Sequence, residues 1–212
     1  MLAKGDFVEL ELTGTIAQTE QSFIEEKSLV ICIGAGQLLP GLESALEGKE
    51  VGQKLELELK PEQAYGVRDT RLIQLVPLAK FAQNNINPIP GLQVNVDGLL
   101  ATVRSVNGGR VLVDFNHPLA GKVLKFKIEI KRKVEDLKEK IKALMPEAQN
   151  IELEENKVTI TTKGNLPKKL EELKINSLKA HIKELENKEI ALKKEESSEK
   201  TSKKGKKSEE KA

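Results

Sequence analysis

Alternating apolar and polar residues predict several β-strands in the first two thirds of the chain. Alternation is strict in residues 54–59 and 124–130, and within residues 7–12 Val8, Leu10 and Leu12 share one face. Residues 29–33 instead form a short, continuous apolar run that ends at Gly34, as a buried strand does. One-sided alternation is typical of an antiparallel sheet that packs one face on a core.

A short helix is predicted between two of these strands. Pro40 opens it, Leu42 and Leu46 share one face, and Gly48 ends it. The pattern therefore predicts an α+β fold in which one face of the sheet packs on this helix.

Residues 68–117 form a different kind of segment. They are rich in apolar residues, and Asn107-Gly108-Gly109 marks a turn between two strands. About 50 residues rarely build a core that hides all their apolar surface. Some of these side chains are therefore expected to be exposed, and contiguous exposed apolar surface usually marks a binding site.

The last third of the chain is predicted to contain a small α+β domain followed by a disordered tail. The predicted elements are a helix over 134–145, a hairpin of 151–153 and 158–160, helical residues between 170 and 185, and a strand over 190–192. Residues 194–212 are mostly Lys, Glu and Ser, so that they have almost no apolar surface to bury on ordering.

Composition narrows the function classes. The charges of the 35 basic and 33 acidic residues nearly cancel, which argues against a nucleic-acid binder. The basic run 203–207 leaves two alternatives for the tail, a solvated extension or a contact with the ribosome or nucleic acid. A single cysteine excludes an intrachain disulfide, and Cys32 is expected to be an inert buried thiol. No metal site, signal sequence or membrane-spanning run is evident, which predicts a cytoplasmic protein without cofactors.

Several motifs occur in an order that resembles one family. They are Leu-Thr-Gly at 12–14, Gly-Ala-Gly-Gln-Leu-Leu-Pro-Gly-Leu-Glu at 34–43, Ala-Leu-Glu-Gly-Lys-Glu-Val-Gly at 45–52 and Pro-Glu-Gln-Ala-Tyr-Gly at 61–66. Together they resemble the FKBP-type peptidyl-prolyl isomerases. Residues 113–126 resemble the end of the inserted flap domain in SlyD-like members, so that the likeness covers residues 4–131. The region beyond resembles the extension of archaeal long-chain FKBPs.

The resemblance implies a fold and a domain layout. An antiparallel half-barrel sheet would wrap on the short helix in an FKBP-like domain, with a small β-rich flap inserted and a C-terminal α+β domain appended. The implied boundaries are 1–67 plus 118–132 for the isomerase domain, 68–117 for the flap, 133–193 for the C-terminal domain and 194–212 for the tail.

The resemblance also implies the site. The catalytic set would be Tyr65, Leu39 and Phe126, with the Leu39 N–H and the Tyr65 hydroxyl donating to substrate carbonyls. The substrate-binding set would be Leu12, Phe23, Leu29, Leu38, Leu42, Leu72, Leu75, Val76, Phe81 and Val94. For His117 a structural turn role is expected, and for His181 a position in a core or an interface.

Departures from the family pattern leave two functional hypotheses. Leu12 replaces a pocket tyrosine, no aspartate follows Phe23, and Leu42 replaces an aromatic residue, which predicts weak activity on short peptides. One hypothesis is a chaperone-isomerase for unfolded, proline-containing polypeptides, and the other is a non-catalytic holdase. The C-terminal domain would either form a homodimer or add a binding surface.

Overall fold

The computed structural model describes residues 1–164 and 167–194. The chain divides into two compact units, Met1–Val134 and a second unit from Glu135 onward. Lys194 ends the last described strand. The rest of the predicted disordered tail, residues 195–212, lies outside the described residues.

A four-stranded antiparallel sheet forms the base of the first unit. Its strands, in the order β2-β1-β8-β3, are β1 (Phe7–Ile16), β2 (Ser22–Cys32), β3 (Lys54–Leu59) and β8 (Leu124–Lys133). Alternate residues of β1 and β8 face a common core, as the alternation predicts. The innermost of these side chains are at most 2% exposed, namely Leu10, Leu12, Leu124, Phe126, Ile128 and Ile130.

Helix α1 (Pro40–Leu46) covers this face of the sheet. Its residues Leu42 and Leu46 lie one turn apart and are both buried in the same core as the strands. The carboxylate of Glu43 accepts a hydrogen bond from the Gln37 N–H at 3.1 Å, which fixes the loop leading into the helix. The predicted helix therefore forms where the pattern placed it.

A second sheet lies in the chain between β3 and β8. It comprises β4 (Ile73–Pro77), β5 (Gln93–Val96), β6 (Leu99–Asn107) and β7 (Arg110–Asp114) in the order β4-β7-β6-β5, with helix α2 (Leu78–Gln83) after β4. We call this segment, residues 73–114, the insert. Gly108 and Gly109 both have positive φ, which suits the tight turn between β6 and β7 that the sequence predicts.

The second unit is a three-stranded sheet with two helices. Its elements are α3 (Leu137–Leu144), β9 (Ala148–Leu153), β10 (Lys157–Thr162), α4 (Lys168–His181) and β11 (Glu189–Lys194). Strands β9 and β10 form the predicted antiparallel hairpin, whereas β10 and β11 are parallel. Helix α3 begins at Leu137 and not at residue 134, because the carboxylate of Asp136 accepts a hydrogen bond from the Glu139 N–H at 2.9 Å and caps the helix.

The α+β fold class is confirmed. The chain has mostly antiparallel sheets and few helices, and its main sheet packs on α1 as an FKBP-like fold would. The finer division into an inserted flap domain and a C-terminal domain, with the boundaries given above, stays a prediction.

Candidate active site

Gly14 lets three apolar side chains meet over the middle of β1. A Cβ atom at this position would lie 2.6 Å from Ile24, 2.7 Å from Phe23 and 2.9 Å from Phe126, closer than real Cβ atoms approach other atoms. The Phe23 and Phe126 rings meet edge to face, with centroids 5.7 Å apart and planes at 89°. The absence of a side chain at Gly14 thus creates the aromatic part of the candidate site.

The residues predicted to line the isomerase pocket fall into two groups. Leu12, Leu42 and Phe126 are 2% exposed and belong to the core itself. The other members are half-buried and pack against that core from its edge, namely Phe23, Leu29, Leu38 and Leu39. We call these seven residues the apolar cluster. The structure therefore brings the predicted pocket residues together, with a closed floor and a rim that solvent reaches.

Leu39 supplies a hydrogen-bond donor at this rim. It is the residue that precedes α1, and its carbonyl accepts the N–H groups of Leu42 and Glu43. Among residues 1–164 and 167–194, no hydrogen bond uses the N–H of Leu39 itself. An N–H group at a helix entrance has no partner within the helix, so it is available to an incoming carbonyl.

Tyr65 lies just after a 3₁₀ turn, Pro61–Gln63, which follows β3. Its side chain is 37% exposed, and its hydroxyl makes no hydrogen bond to any described residue. Its neighbour in sequence, Ala64, packs against the main core. The phenol is thus a second free donor.

The imidazole of His117 stacks on the ring of Tyr65, a contact that the sequence did not predict. The ring centroids are 4.1 Å apart and the planes differ by 5°. The Nδ1 atom of His117 accepts a hydrogen bond from the Leu119 N–H at 3.2 Å, and its carbonyl accepts one from the Ala120 N–H at 2.9 Å. The expected turn role of His117 is therefore present, and the ring has a second contact at the candidate site.

Polar contacts join the two connections between the main sheet and the insert. Asp69 and Asn116 exchange two hydrogen bonds, from the Asp69 N–H to Oδ1 at 2.9 Å and from Nδ2 to the Asp69 carbonyl at 2.8 Å. The buried carboxylate of Asp114 accepts a further bond from Asn116 Nδ2 at 2.7 Å and forms a salt bridge with Arg68. These residues form what we call the neck.

Three residues proposed to bind substrate on the insert are buried in its own core. Val76, Phe81 and Val94 are at most 9% exposed, because Val76 and Val94 of the insert sheet pack in one core with Phe81 of α2. Their assignment as substrate-binding residues stays a prediction. Leu72 and Leu75 are exposed, as are Ile89, Leu99, Leu100 and Val106, which agrees with the expectation that some apolar side chains of this segment are exposed.

The structure also bears on a nucleophilic cysteine, a metal site and a membrane-spanning helix. The Cys32 thiol is fully buried, and burial raises its pKa to about 11, which makes it a poor nucleophile near neutral pH. Within the described part of the chain, no three His, Cys, Asp or Glu side chains are arranged to hold a metal ion. No helix of the described residues is long and apolar enough to cross a membrane. His181 Nδ1 lies 2.9 Å from the Ser177 carbonyl within α4.

Comparison with known proteins decides the family. A short-type peptidyl-prolyl cis-trans isomerase of Methanocaldococcus jannaschii is 34% identical over 146 residues, which cover 62% of this chain and 93% of that protein. The chain belongs to the FKBP-type peptidyl-prolyl cis-trans isomerase family. An FKBP-type 16 kDa isomerase of Escherichia coli K12 is 34% identical over 55% of this chain and 80% of its own length.

Further matches concern the SlyD branch and the insert. The SlyD isomerase of Aeromonas hydrophila is 39% identical to this FKBP family member over 128 residues, 58% of this chain and 60% of that protein. A family profile described as "FKBP26, IF domain" matches residues 74–119, which include most of the insert. The predicted family, its SlyD-like character and the isomerase class are therefore confirmed.

Proposed function

We propose that this FKBP family member is a folding chaperone and isomerase that binds unfolded polypeptide on its insert and rotates X–Pro bonds at the apolar cluster. The observation that carries the catalytic part is a pair of donors without a partner among the described residues, the Leu39 N–H in that cluster and the Tyr65 hydroxyl next to Ala64, which packs against the same core. These two donors suit a bound X–Pro segment. Its prolyl ring would pack on the apolar cluster, and the carbonyl groups on either side of the ring would accept the two hydrogen bonds.

The chemistry needs no nucleophile, acid or base. An X–Pro bond resists rotation because its nitrogen lone pair is delocalised into the carbonyl, and uncatalysed isomerisation takes tens to hundreds of seconds. This delocalisation is lost in the twisted transition state, which makes the amide less polar. An apolar, water-poor surface therefore favours the transition state over the hydrated ground state.

The test is a refolding reaction that is limited by proline isomerisation, followed with and without the protein. Tyr65→Phe removes only the hydroxyl and is expected to lower the acceleration about two- to tenfold, the worth of one hydrogen bond. Lys125→Gln, on the outer face of β8, is the matched control and should leave the rate unchanged. Equal acceleration by wild type and Tyr65→Phe would remove the phenol from the mechanism.

Leu12 and Leu42, which stand where the family has aromatic residues, favour low isomerase activity on short peptides. Leu12 lies opposite Ile128 on β8, so that this wall of the cluster has methyl groups and no hydroxyl. A tetrapeptide therefore gains few oriented contacts, whereas an unfolded protein held on the insert has its prolines at a raised local concentration. The expected result is a far higher kcat/KM on an unfolded protein than on a tetrapeptide.

The proposed chaperone surface is the uncovered face of the insert. Leu75 is 59% exposed and lies opposite Leu112 on the face away from Val76, and Leu100 is 61% exposed on β6. Exposed apolar side chains that cluster on one segment provide the surface that an unfolded chain needs for binding.

The double variant Leu75→Ser/Leu100→Ser tests this surface by the suppression of client aggregation. We expect suppression to fall strongly, whereas Val51→Ser, an exposed apolar residue before β3, should have no effect. Undiminished suppression by the double variant would contradict the assignment.

A non-catalytic holdase is the second candidate, and Leu12 is the observation that favours it. A holdase would slow aggregation yet leave the proline-limited phase at its uncatalysed rate. The comparison of wild type with Tyr65→Ala separates the two functions, because equal rates would indicate that the cluster does not catalyse.

A further inference from the structure

Two flat rings meet face to face where the chain leaves the main sheet and where it returns. Tyr65 belongs to the outgoing connection and His117 to the returning one, and their rings are parallel within 5° at 4.1 Å. A hydrogen bond of 2.9 Å from the Gly121 N–H to the Gly66 carbonyl joins the same two connections. The stacked pair is therefore anchored next to Tyr65 as well as at His117.

The hydrogen bonding around His117 fixes the form of its ring. The Leu119 N–H can only donate, so Nδ1 must accept and carries no proton, which places the proton of the neutral ring on Nε2. Partial covering of the ring lowers the pKa of His117, in agreement with a neutral imidazole. Leu119 itself packs against the main core, which ties the imidazole to a rigid part of the molecule.

The stacked imidazole is one contact that restrains the side chain of Tyr65. This side chain is exposed on the surface, and its hydroxyl has no partner among the described residues. A tyrosine that is free to change rotamer must be ordered when a substrate binds, which weakens binding and misaligns the donor. A ring stacked on a fixed imidazole is ordered in advance.

We propose that His117 is a positioning residue for the isomerase reaction, which orients the phenol of Tyr65 toward a carbonyl of the bound X–Pro segment. This inference rests on the proposed function and adds to it a second residue, which acts through Tyr65 and does not touch the reacting bond.

The first experiment is a double-mutant cycle on kcat/KM for a proline-limited unfolded protein. His117→Ala is expected to lower kcat/KM about three- to tenfold, the range measured for aromatic pairs. In a Tyr65→Phe background the same change should have little effect, because the hydroxyl that it orients is already gone. Equal losses in both backgrounds would mean that His117 has only a general structural role, and would overturn the proposal.

Two further variants separate the ring from its hydrogen bond. His117→Phe keeps a flat ring without the acceptor, and His117→Asn keeps an acceptor without the ring face. The proposal requires Phe to restore most of the lost kcat/KM and Asn to restore little. The reverse result would assign the effect to the turn that the Leu119 N–H closes.

A spectroscopic readout keeps this test independent of activity. Tyr65 is the single tyrosine and the chain has no tryptophan, so that the near-ultraviolet circular dichroism and fluorescence anisotropy of tyrosine report on this side chain alone. His117→Ala should reduce both signals while the far-ultraviolet spectrum stays unchanged. An unaltered tyrosine signal would overturn the positioning role, whereas a reduced signal in a protein that fails to accelerate refolding would reject the proposed function and leave the ordering of Tyr65 established.

Discussion

Gly14 decides the packing at the candidate site, because Phe23, Ile24 and Phe126 occupy the space where its side chain would be. Gly14→Ala forces these rings and the methyl group apart, and overpacking of this kind costs about 1–3 kcal/mol. We expect chemical denaturation to show this loss and the refolding assay to show reduced acceleration. Thr13→Ser, on the opposite face of β1, is the control, and an unchanged Gly14→Ala protein would contradict the close packing.

The buried thiol of Cys32 makes stability depend on pH in the alkaline range. Burial raises its pKa from 9.0 to about 11, so the unfolded chain releases the proton more readily than the native protein. This contribution is complete below pH 9 and is lost as the pH rises through 11. The unfolding free energy should fall less steeply over this range in Cys32→Ala, and parallel slopes would show that the thiol ionises equally in both states.

Individual side chains could be predicted from the sequence only in part. The apolar cluster could be named because the family motifs fix its members, and Leu75 and Val76 could be recognised as apolar. Which of these two is buried depends on the side of the insert sheet that α2 covers, and no local pattern specifies this. The contact of Tyr65 with His117 was missed for a similar reason, because it joins segments on either side of the insert.

At the scale of elements, the cap of α3 accounts for where that helix begins. Asp136 accepts a hydrogen bond from the Glu139 N–H, one of the donors that a helix start leaves unpaired. Asp136→Ala should lower the unfolding free energy of the second unit by about 1 kcal/mol. Glu135→Ala, at the exposed preceding position, is the control in a urea titration, and equal stabilities of the two variants would remove the cap from the explanation.

Most strands could be predicted, because alternation of apolar residues reflects a sheet with one covered face. Strand β2 shows where this signal fails. It begins at Ser22, well before the apolar run at 29–33, and its residues 25–28 are exposed at the edge of the sheet. An edge position needs no apolar side chains there, so the apolar pattern predicts only the more buried half of the strand.

At the scale of the whole molecule, the neck couples the insert to the main sheet. Asn116→Ala removes the two hydrogen bonds to Asp69 and the one to Asp114, which leaves partly buried polar groups unpaired. We expect faster amide exchange at residues 66–72 and 114–121, and a smaller advantage of unfolded protein over tetrapeptide as substrate. Asn84→Ala, at the C-terminal cap of α2, serves as the control, and unchanged exchange in Asn116→Ala would show that the neck is held by other contacts.

The second unit is predicted to join two chains, an expectation that sedimentation velocity can check. Leu170 and Leu173 lie three residues apart on α4 and are exposed, as a helix that packs on a partner would require. If the wild type sediments as a dimer, Leu173→Glu should shift it to a monomer, while Leu75→Glu should not. A monomeric wild type would favour the alternative of an additional binding surface.

The layout of the chain could be predicted only through its family resemblance. Composition and periodicity indicate α+β structure, but they do not show that residues 73–114 form a sheet apart from their neighbours in sequence. That arrangement depends on contacts between segments that are distant in sequence. The order of the family motifs indicates these contacts, whereas local propensity does not.

The hydrogen bond between Gly66 and Gly121 has a consequence for how such chains can change length. It brings the Gly121 nitrogen, in the returning connection, to within 2.9 Å of the Gly66 carbonyl oxygen, in the outgoing connection, a separation that a tight turn can close. The insert, residues 73–114, can therefore be exchanged or enlarged beyond this junction while β3 and β8 keep their partners and Tyr65 keeps its contact with His117. A segment with a different binding activity can therefore replace the insert without altering the sheet that supports the candidate active site.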